Sequence, residues 1–563
     1  MPPAESTHVR HRRSRTGCLT CRKLKHKCDE QKPVCGRCQR TVRICTYPTA
    51  TATPSTSSQS INPSETIELP TLDLISHAES SRNAQLNAII STIGTIPPAI
   101  TLVDLLALSV PDMRERSLLQ HFMCYGTVNL HAIPHPERPV HCFDISECFQ
   151  NRRGSSMEID SFFLSIISIA AVHRSSMFLQ LEKKYLKQTP VGRWGIPPLP
   201  SSNDPPNERQ IKSLKDTSIQ SSKAAIELGK IALNLKLTNL GDSPSSSDQA
   251  GHSMAYPTIS WNADLQKVTD TILTSVVCVC ISQVMLVSTH WKEAYNLGLK
   301  VIKLRGGAIK LLEDAKKISL DHLNKTRTLL ENLAIIDVWH CLASGAAPTL
   351  LEKEFQPWWF DFAEQVTDST HPDSFQFVCG MDRGMLEVVN RVNILVHERE
   401  VLHKLPNQTY INIHGQKVQD MLLELDIWEV TIGTADRLPR VQLGNLIIAY
   451  VMRVVICVDL LGYPHSHPTV QTYATSALNH LENSRSSACT VNMLVPTLIV
   501  GSMMSTEEGR NQARRVIEAL RSDASFSYDV EEALRILDQL YTMRDRGVPD
   551  PSWRPLLQDI LLL

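Results

Sequence analysis

The sequence predicts two parts of different fold class: a small cysteine-rich module near the amino terminus and a large all-α domain behind it. Six of the 15 cysteines lie between Cys18 and Cys45, and the others are scattered along the rest of the chain. Ser, Thr and Pro dominate residues 46–64, which contain little to bury. Beyond about Leu72, apolar residues recur at helical spacing and strand patterns are few. We therefore divide the chain into a basic tail (1–16), the cysteine-rich module (17–48), a flexible linker (49–80) and the all-α domain (81–563).

The positive charge of the chain is concentrated at one end. The net charge of the 563 residues is -1, yet the first 50 residues carry twelve Lys and Arg against three acidic residues. The overall composition, with 42% hydrophobic and 20% charged residues, is that of an ordinary globular protein. A basic segment on an otherwise neutral chain predicts a polyanionic partner for that segment.

Neither a signal peptide nor a membrane span is predicted. Residues 1–15 carry charge without an apolar stretch behind it, and no run of eighteen apolar residues occurs. The most apolar stretch, Leu443 to Leu461, contains Arg453 and is interpreted as a buried amphipathic helix. We therefore expect an intracellular chain without a membrane partner, in a compartment where cysteines serve as thiols or metal ligands.

The spacing of the six clustered cysteines is typical of metal ligands. They follow the pattern C-x2-C-x6-C-x6-C-x2-C-x6-C, which nearly repeats one half-module. Structural zinc takes four ligands in a tetrahedron. Two zinc ions need eight ligand positions, which six thiolates fill if two of them bridge both ions. The predicted ligands are Cys18, Cys21, Cys28, Cys35, Cys38 and Cys45.

A single zinc site with four thiolates is the alternative, in which Cys28 and Cys45 would be incidental. The fit of all six positions favours two ions. Either arrangement is favoured over a hydrophobic core, because the segment holds few apolar residues and is far below the size that folds on burial alone. Structural zinc contributes about 10–16 kcal/mol in finger peptides, so metal binding would supply the folding energy here.

The residues between the second and third cysteines predict contact with DNA. Arg22, Lys23, Lys25 and Lys27 place four cations in six residues. Neutralisation of phosphates dominates the affinity of such segments for DNA, and a rigidly held Lys can reach guanine O6 and N7 in the major groove. The sequence therefore predicts double-stranded DNA as the partner; a folded cluster that binds only protein is the alternative.

A specific set of residues surrounds these ligands, namely Gly17-Cys18-Leu19-Thr20-Cys21-Arg22, Lys25, Lys27-Cys28-Asp29-Glu30, Pro33, Cys35-Gly36-Arg37-Cys38 and Cys45. The set resembles, position for position, the fungal Zn2Cys6 binuclear cluster family of transcription regulators. The resemblance implies two zinc ions per chain, with Cys18 and Cys35 as the bridging ligands. It also implies that the helix after Cys21 enters the major groove and that Lys25 contacts a CGG-type triplet.

The same resemblance implies that Arg22 and Lys27 hold phosphates and that Pro33 shapes the loop between the halves. Leu24 departs from the family, which often has Arg or Lys there, and this removes one phosphate contact. A nuclear regulator of RNA polymerase II transcription is the implied function. The basic cluster from His8 to Arg15 fits it, because such clusters serve nuclear import and phosphate contact.

Helical periodicity is the main signal in the large domain. Leu265, Val268, Ile272 and Val276 recur at helical spacing, as do Val530, Leu534, Leu537 and Leu540. Asp529 is predicted as the N-cap of the second helix, with Glu532 three residues on, and Gly547 as its stop. Further helices are predicted over 161–175, 212–237 and 511–521, with surface loops over 197–206 and 240–253.

Several segments of this domain resemble the fungal-specific regulatory domain that follows such zinc clusters. They are 118–140, Trp291, Leu304-Arg305-Gly306-Gly307, 337–348, Cys379-Gly380 and 496–514. The resemblance implies an α-helical regulatory domain that couples to the transcription machinery or to co-regulators. It carries over no ligand residues.

Other residues of this domain that could bind a ligand or a metal are interpreted as structural. Cys278 and Cys280 lie in an apolar helical stretch and are interpreted as buried, inert thiols. Trp358 and Trp359 are interpreted as packing residues rather than a ligand cage. A metal site at His131, His135, His141 and Cys142 is disfavoured, because these residues lack tight spacing.

No nucleophile elbow, phosphate loop, dinucleotide fingerprint or zincin motif occurs, and the chain is interpreted as a non-enzyme. Two alternatives stay open, a DNA-tethered sensor of a small molecule and a scaffold that touches DNA loosely. The oligomeric state also stays open, because Leu86, Ile89, Ile90 and Ile93 fall well short of a coiled coil of three or four heptads. A homodimer and a monomer are both compatible with the sequence.

Overall fold

The structure is a computed structural model of the chain. It describes residue 28 and residues 106–123, 150–188, 208–241, 263–364, 374–404, 407–432, 439–483, 492–520 and 527–562. The chain divides into two compact units, Met1–Ser91 and Thr92–Leu563. The regular secondary structure of the second unit is described below.

The regular elements in this described part are helices, and no strand occurs among its residues. In chain order they are α1 Met113–His121, α2 Met157–Gln188, α3 Glu208–Gly241, α4 Ala263–Met285, α5 Trp291–Leu304, α6 Ala308–Ile318, α7 Leu320–Ser344, α8 Pro357–Glu364, α9 Ser374–Cys379, α10 Arg383–Lys404, α11 Gln408–Ile432, α12 Pro439–Val455, α13 Pro468–Asn483, α14 Leu494–Ser502, α15 Glu507–Ala519, α16 Ser527–Asp545 and α17 Arg554–Leu557. The predicted all-α fold class is confirmed.

Helix α4 is the central element of the first half of the domain. It contacts α2, α3, α5 and α7, so nearly every side chain from Leu265 to Met285 is buried. A helix that is apolar on all sides is stable only when other elements surround it. The predicted stripe that contains Val268, Ile272 and Val276 is therefore one side of a fully enclosed helix.

A seam of serines joins α2, α3 and α4. The Ser168 hydroxyl lies 2.9 Å from that of Ser218 and 2.8 Å from that of Ser282, and the Gln283 side-chain amide donates to Ser222 at 2.7 Å. All of these side chains are buried. Small hydroxylated residues let the three helices approach closely while each buried hydroxyl keeps a partner.

Helix α12 is the corresponding element of the second half. It contacts α10, α11, α13 and α14, and it continues into a π-helical turn at Ile456–Leu460. The predicted buried amphipathic helix in this region is confirmed. At Gly444 the backbone of α12 lies closest to a neighbouring segment, because a Cβ there would lie 2.1 Å from the Gly380 carbonyl oxygen.

The carboxy-terminal part of the domain packs against its amino-terminal helices. Helix α16 contacts both α2 and α4. The Tyr528 hydroxyl lies 2.6 Å from the Ser175 hydroxyl, and the Ser527 amide donates to Ser176 Oγ at 3.0 Å. Contacts between residues about 350 positions apart make the two halves share one hydrophobic core.

The predicted helices are confirmed, but their ends differ. The helix predicted over 161–175 extends to Met157–Gln188, and the one predicted over 212–237 extends to Glu208–Gly241. Asp529 was predicted as a cap, but α16 begins at Ser527 and Asp529 is buried inside the first turn. Helix α15 begins at Glu507, before the predicted 511, because Thr506 caps it by accepting from the Gly509 amide at 3.1 Å. Gly547 ends α16 with a φ of 83°, as predicted. The predicted loops lie outside the described residues, apart from residues 240 and 241, where the prediction is wrong because they are the last two residues of α3.

Three helical segments among the described residues are long and apolar enough to span a membrane by length and composition alone, namely Met157–Gln180, Ala263–Met285 and Pro439–Leu460. Their most apolar windows are 78%, 89% and 72% buried inside the protein. Packing against the other helices of this domain accounts for their hydropathy.

Candidate nucleic-acid interface and regulatory domain

Cys28 is the one predicted zinc ligand among the described residues, and its side chain is buried. The remaining predicted ligands lie outside the described residues; they are Cys18, Cys21, Cys35, Cys38 and Cys45. The predicted DNA contacts at Arg22, Lys23, Lys25 and Lys27 also lie outside them. The chemistry of the donor set fits zinc, because thiolates are the ligands of closed structural zinc sites.

The thiols of the helical domain differ from those of the amino-terminal cluster. Cys278 and Cys280 are fully buried on α4, which confirms their interpretation as core residues. Burial raises the pKa of the Cys280 and Cys341 thiols, which keeps them protonated and unreactive. Among the described residues, no group of three or more His, Cys, Asp or Glu could hold a metal ion.

The tryptophan pair on α8 is confirmed as packing. Trp358 and Trp359 are buried with ring centroids 5.6 Å apart at nearly right angles. Trp359 donates its indole N–H to the Arg383 carbonyl at 3.2 Å, and the Arg383 guanidinium lies 4.8 Å from the Trp359 and Phe375 ring centroids. The aromatic residues therefore hold an arginine of α10 inside the core.

That arginine belongs to a buried ionic cluster that the sequence analysis missed. Glu331 accepts from Arg327 Nε at 2.6 Å and from Arg383 Nη2 at 2.8 Å. The spacing of Arg327 and Glu331 on α7 is a recognisable i,i+4 pair. The spacing gives no sign that the pair is buried or that Arg383 joins it from another helix.

The loop over residues 345–356 is fastened by carboxylates of two helices. Asp337 of α7 accepts from the Thr349 and Leu350 amides at 2.7 and 3.1 Å. Glu387 of α10 accepts from the Phe355 amide at 2.6 Å. Burial, partly offset by this hydrogen bond, raises the pKa of Glu387 to about 7.

A pair of histidines joins α1 to α2. His121 Nε2 and His173 Nδ1 lie 2.9 Å apart, and burial lowers the pKa of each ring to about 4. Both rings are therefore neutral at neutral pH, where one can donate to the other. The histidines at 131, 135 and 141 and Cys142, considered above as metal ligands, lie outside the described residues.

A thiol cluster behind a basic segment, followed by a closed helical domain, defines a class of zinc-cluster proteins with a regulatory helical domain. The profile of the family described as fungal specific transcription factor domain matches residues 117–562. That match covers most of the chain, so the chain belongs to this family. The profile of the fungal Zn(2)-Cys(6) binuclear cluster domain matches residues 16–54. The resemblance stated from the sequence is thereby confirmed.

Curated relatives match over short segments of the chain. Transcription factor lfc1 of Flammulina velutipes is 51% identical over 49 residues, which are 9% of this chain and 17% of that protein. White-opaque regulator 2 of Candida albicans is 62% identical over 34 residues, which are 6% of this chain and 8% of that protein. Transcription activator AMTR1 of Alternaria alternata is 67% identical over 33 residues, or 6% and 4% of the two chains.

The matched segments thus span less than a fifth of each of these relatives. No solved structure matches the chain.

Proposed function

We propose that this chain is a zinc-dependent, sequence-specific DNA-binding transcription factor that regulates RNA polymerase II. The observation that carries the proposal is the spacing of six cysteines with four cations between the second and the third. The family of the helical domain and the shared cluster in curated transcription factors support it. A nuclear location and the absence of an enzymatic activity follow from the same assignment.

The proposed metal site uses Cys18, Cys21, Cys28, Cys35, Cys38 and Cys45 for two zinc ions. When bound, zinc holds the thiols as thiolates and supplies the folding energy of the module. The chain's own residues then do the recognition: Lys25 contacts the bases of a CGG-type triplet, and Arg22, Lys23 and Lys27 hold phosphates.

The remaining parts have assigned roles in the proposal. Residues 1–16 add phosphate contacts, residues 17–48 form the DNA-binding module, residues 49–80 act as a flexible linker and residues 81–563 form the regulatory domain. The regulatory domain contacts the transcription machinery or co-regulators. Two chains bind as a homodimer if the DNA site contains two triplets at one fixed spacing.

In vitro selection of randomised duplex DNA by the zinc-loaded full-length chain tests this function. We expect enrichment of a CGG-type triplet that disappears when zinc is removed. Two triplets at one spacing would establish a dimer, and one triplet would establish a monomer. Selection without any enriched sequence would overturn the proposal.

Substitution of Lys25 sharpens the test. Lys25→Ala should weaken binding to the selected site by about 1–3 kcal/mol and relax the preference for its triplet. Lys23→Ala is the matched control, because loss of a phosphate contact should weaken binding to all sequences alike and reduce its salt dependence. Unchanged triplet preference in Lys25→Ala would remove Lys25 from the base contact.

A further inference from the structure

Helix α11 is apolar on two opposite faces. Its inner face carries Val418, Met421 and Leu425, which are buried against the domain. The opposite face carries Leu423, Ile427 and Val430, which are 62%, 57% and 72% exposed. Their i, i+4, i+7 spacing places them on one stripe of the helix. We refer to Leu423, Ile427 and Val430 as the outer face of α11.

Polar residues separate the outer face from the start of the helix. Ile413 is 50% exposed, but Gln416 and Asp420 lie on the same face between it and Leu423. At a rise of about 1.5 Å per residue, the outer face from Leu423 to Val430 is about 10 Å long. Three large apolar side chains exposed together on one helix face are typical of a binding surface rather than of scattered surface residues.

Acidic side chains border the outer face at its amino-terminal end and along one side. Asp420 lies one turn before Leu423, where the Gln416 amide donates to it at 2.8 Å. Asp426 and Glu429 lie along the side next to α12, at 2.8 and 2.9 Å from Arg453 Nη2. The Arg453 side chain is 2% exposed, whereas those of Asp426 and Glu429 are 68% and 41% exposed. The cation therefore lies beneath the helix, and the two carboxylates it positions face solvent.

The inner side of α11 is fastened to the domain by polar contacts as well as by its apolar residues. Arg391 of α10 forms an ion pair with Glu424, and Lys417 contacts Glu398 of the same neighbouring helix at 3.2 Å. His414 donates to the Leu395 carbonyl at 2.9 Å. Because these contacts lie away from the outer face, substitutions on that face should leave the helix in place.

The charges decide between two kinds of occupant. A second copy of this chain packed on the same stripe about a twofold axis would bring the carboxylates beside Leu423 and Ile427 against identical carboxylates. Like charges facing each other across an interface oppose association. An apolar groove with Lys and Arg at its rim would instead bury the stripe and pair with the flanking acids, as amphipathic helices do in apolar grooves.

We propose that the outer face of α11 is the surface through which this chain recruits a co-regulator of transcription, a protein with an apolar groove and a basic rim. The inference rests on the proposed function and names its partner surface. Burial of the outer face would provide affinity. The carboxylates around it would orient the partner and favour grooves with a basic rim.

The first experiment separates recruitment from DNA binding in fungal cells. A reporter carrying the selected DNA site is measured with the full-length chain and with the triple variant Leu423→Gln, Ile427→Gln, Val430→Gln. Gln keeps helix propensity, so the fold is retained. We expect the regulatory effect of the chain on the reporter to fall by about fivefold or more. Occupancy of the reporter by the chain, measured by chromatin immunoprecipitation, should be unchanged.

The matched control is Ile231→Gln with Leu235→Gln on α3, an exposed apolar pair also spaced i, i+4. Its neighbours are Lys230 and Lys236, which pair with acidic residues of other helices. This variant should leave the reporter unchanged. An unaffected reporter in the α11 variant, or an equal loss in the α3 control, would overturn the proposal.

The second experiment identifies the occupant directly. A photocrosslinking amino acid replaces Ile427 in the full-length chain, and the crosslinked protein is identified and purified. Its Kd for the full-length chain should rise by about tenfold in the triple variant. The Kd should also rise with salt and in Asp420→Lys, because the basic rim would lose its partner. Crosslinks confined to this chain, within one copy or between two, would overturn the proposal, as would a partner whose binding ignores these changes.

Failure of the proposed function is distinguishable from failure of this inference. If the wild-type chain never occupies its DNA site, the DNA-binding assignment fails. Crosslinking from position 427 and the purified binding measurement still report on the outer face in that case.

Discussion

The amino-terminal module and the helical domain differ in the residues that are available to stabilise them. The module places six cysteines within 28 residues and has few apolar side chains to bury. The helical domain surrounds fully buried residues such as Trp339, Trp359 and Trp553 with helices from both halves of the chain. In the proposed zinc module, short-range spacing of the cysteines would carry the structural information. In the helical domain, that information lies in contacts between distant residues.

Loss of a proposed zinc ligand should have the largest effect, and this effect should be confined to the amino-terminal module. Cys18→Ser removes a proposed bridging thiolate, so the module should lose most of the about 10–16 kcal/mol that zinc contributes to such folds. Zinc content and DNA binding should both be lost, while the thermal transition of the helical domain stays in place. Metal analysis, a gel-shift assay and calorimetry measure the three effects.

Cys457→Ser is the control for that substitution, because Cys457 is a core thiol of the helical domain. It should keep the zinc and the DNA binding of the wild-type chain. A shift of the helical transition in Cys18→Ser as large as in Cys457→Ser would show that the two parts fold as one unit.

A methyl group at the closest helix contact should destabilise only the helical domain. In Gly444→Ala the new Cβ would meet the Gly380 carbonyl oxygen at 2.1 Å, so backbone must shift. We expect the free energy of unfolding to fall by about 3 kcal/mol, with zinc content unchanged. Denaturant titration followed by circular dichroism measures the change.

Gly415→Ala is the matched control for that contact. Gly415 is also helical, but a Cβ there meets nothing within 4 Å. This variant should be more stable than the wild type by up to about 1 kcal/mol, because Ala favours the helix. Equal destabilisation by both substitutions would mean that backbone preference, and not the close approach, makes Gly444 necessary.

The stability of the helical domain should also depend on the ionisation of Glu387. Burial raises the pKa of Glu387 from 4.5 to about 7. The positive charge of Arg391 lowers this pKa, and the negative charges of Glu354 and Glu424 raise it. Between these pH values the folded chain keeps a proton that the unfolded chain releases. The contribution of Glu387 to the free energy of unfolding therefore falls as pH rises from 4.5 to 7.

Glu387→Gln cannot ionise, so it should remove this pH dependence. At pH above 7 the variant should be more stable than the wild type by about 3 kcal/mol, and near pH 5 the difference should shrink. Thermal melts across this range measure the effect. Glu352→Gln, an exposed residue of the same loop, should keep the wild-type profile. A pH profile of Glu387→Gln that matches the wild type would place the titrating group elsewhere.

The spacing of apolar residues predicted the helices of the large domain, because the buried face of a helix leaves a repeat of apolar residues in the local sequence. Val268, Ile272 and Val276 mark α4, and Gly547 marks the end of α16 with its positive φ. The start of α16 was predicted wrongly at Asp529, since a buried acid inside a first turn and an exposed cap look alike in sequence. The ion cluster of Glu331 was missed because Arg383 reaches it from 52 residues away.

The outer face of α11 also combines a feature that is visible in the local sequence with one that depends on distant residues. Acidic and bulky apolar residues alternate from Asp420 to Val430, and that local signal was available in the sequence. Which apolar residues face the core, and which remain exposed beside the carboxylates held by Arg453, depends on the position of α11 against α10 and α12.

The sequence by itself determined the cysteine spacing, the basic residues between the ligands and the helical character of the large domain, because each is written in residues close together along the chain. Only the tertiary structure decided that α16 returns to α2 and α4, that α12 passes against Gly380 and that one apolar face of α11 stays exposed. These features depend on which distant surfaces meet, and helical periodicity records that a face is apolar without recording what covers it.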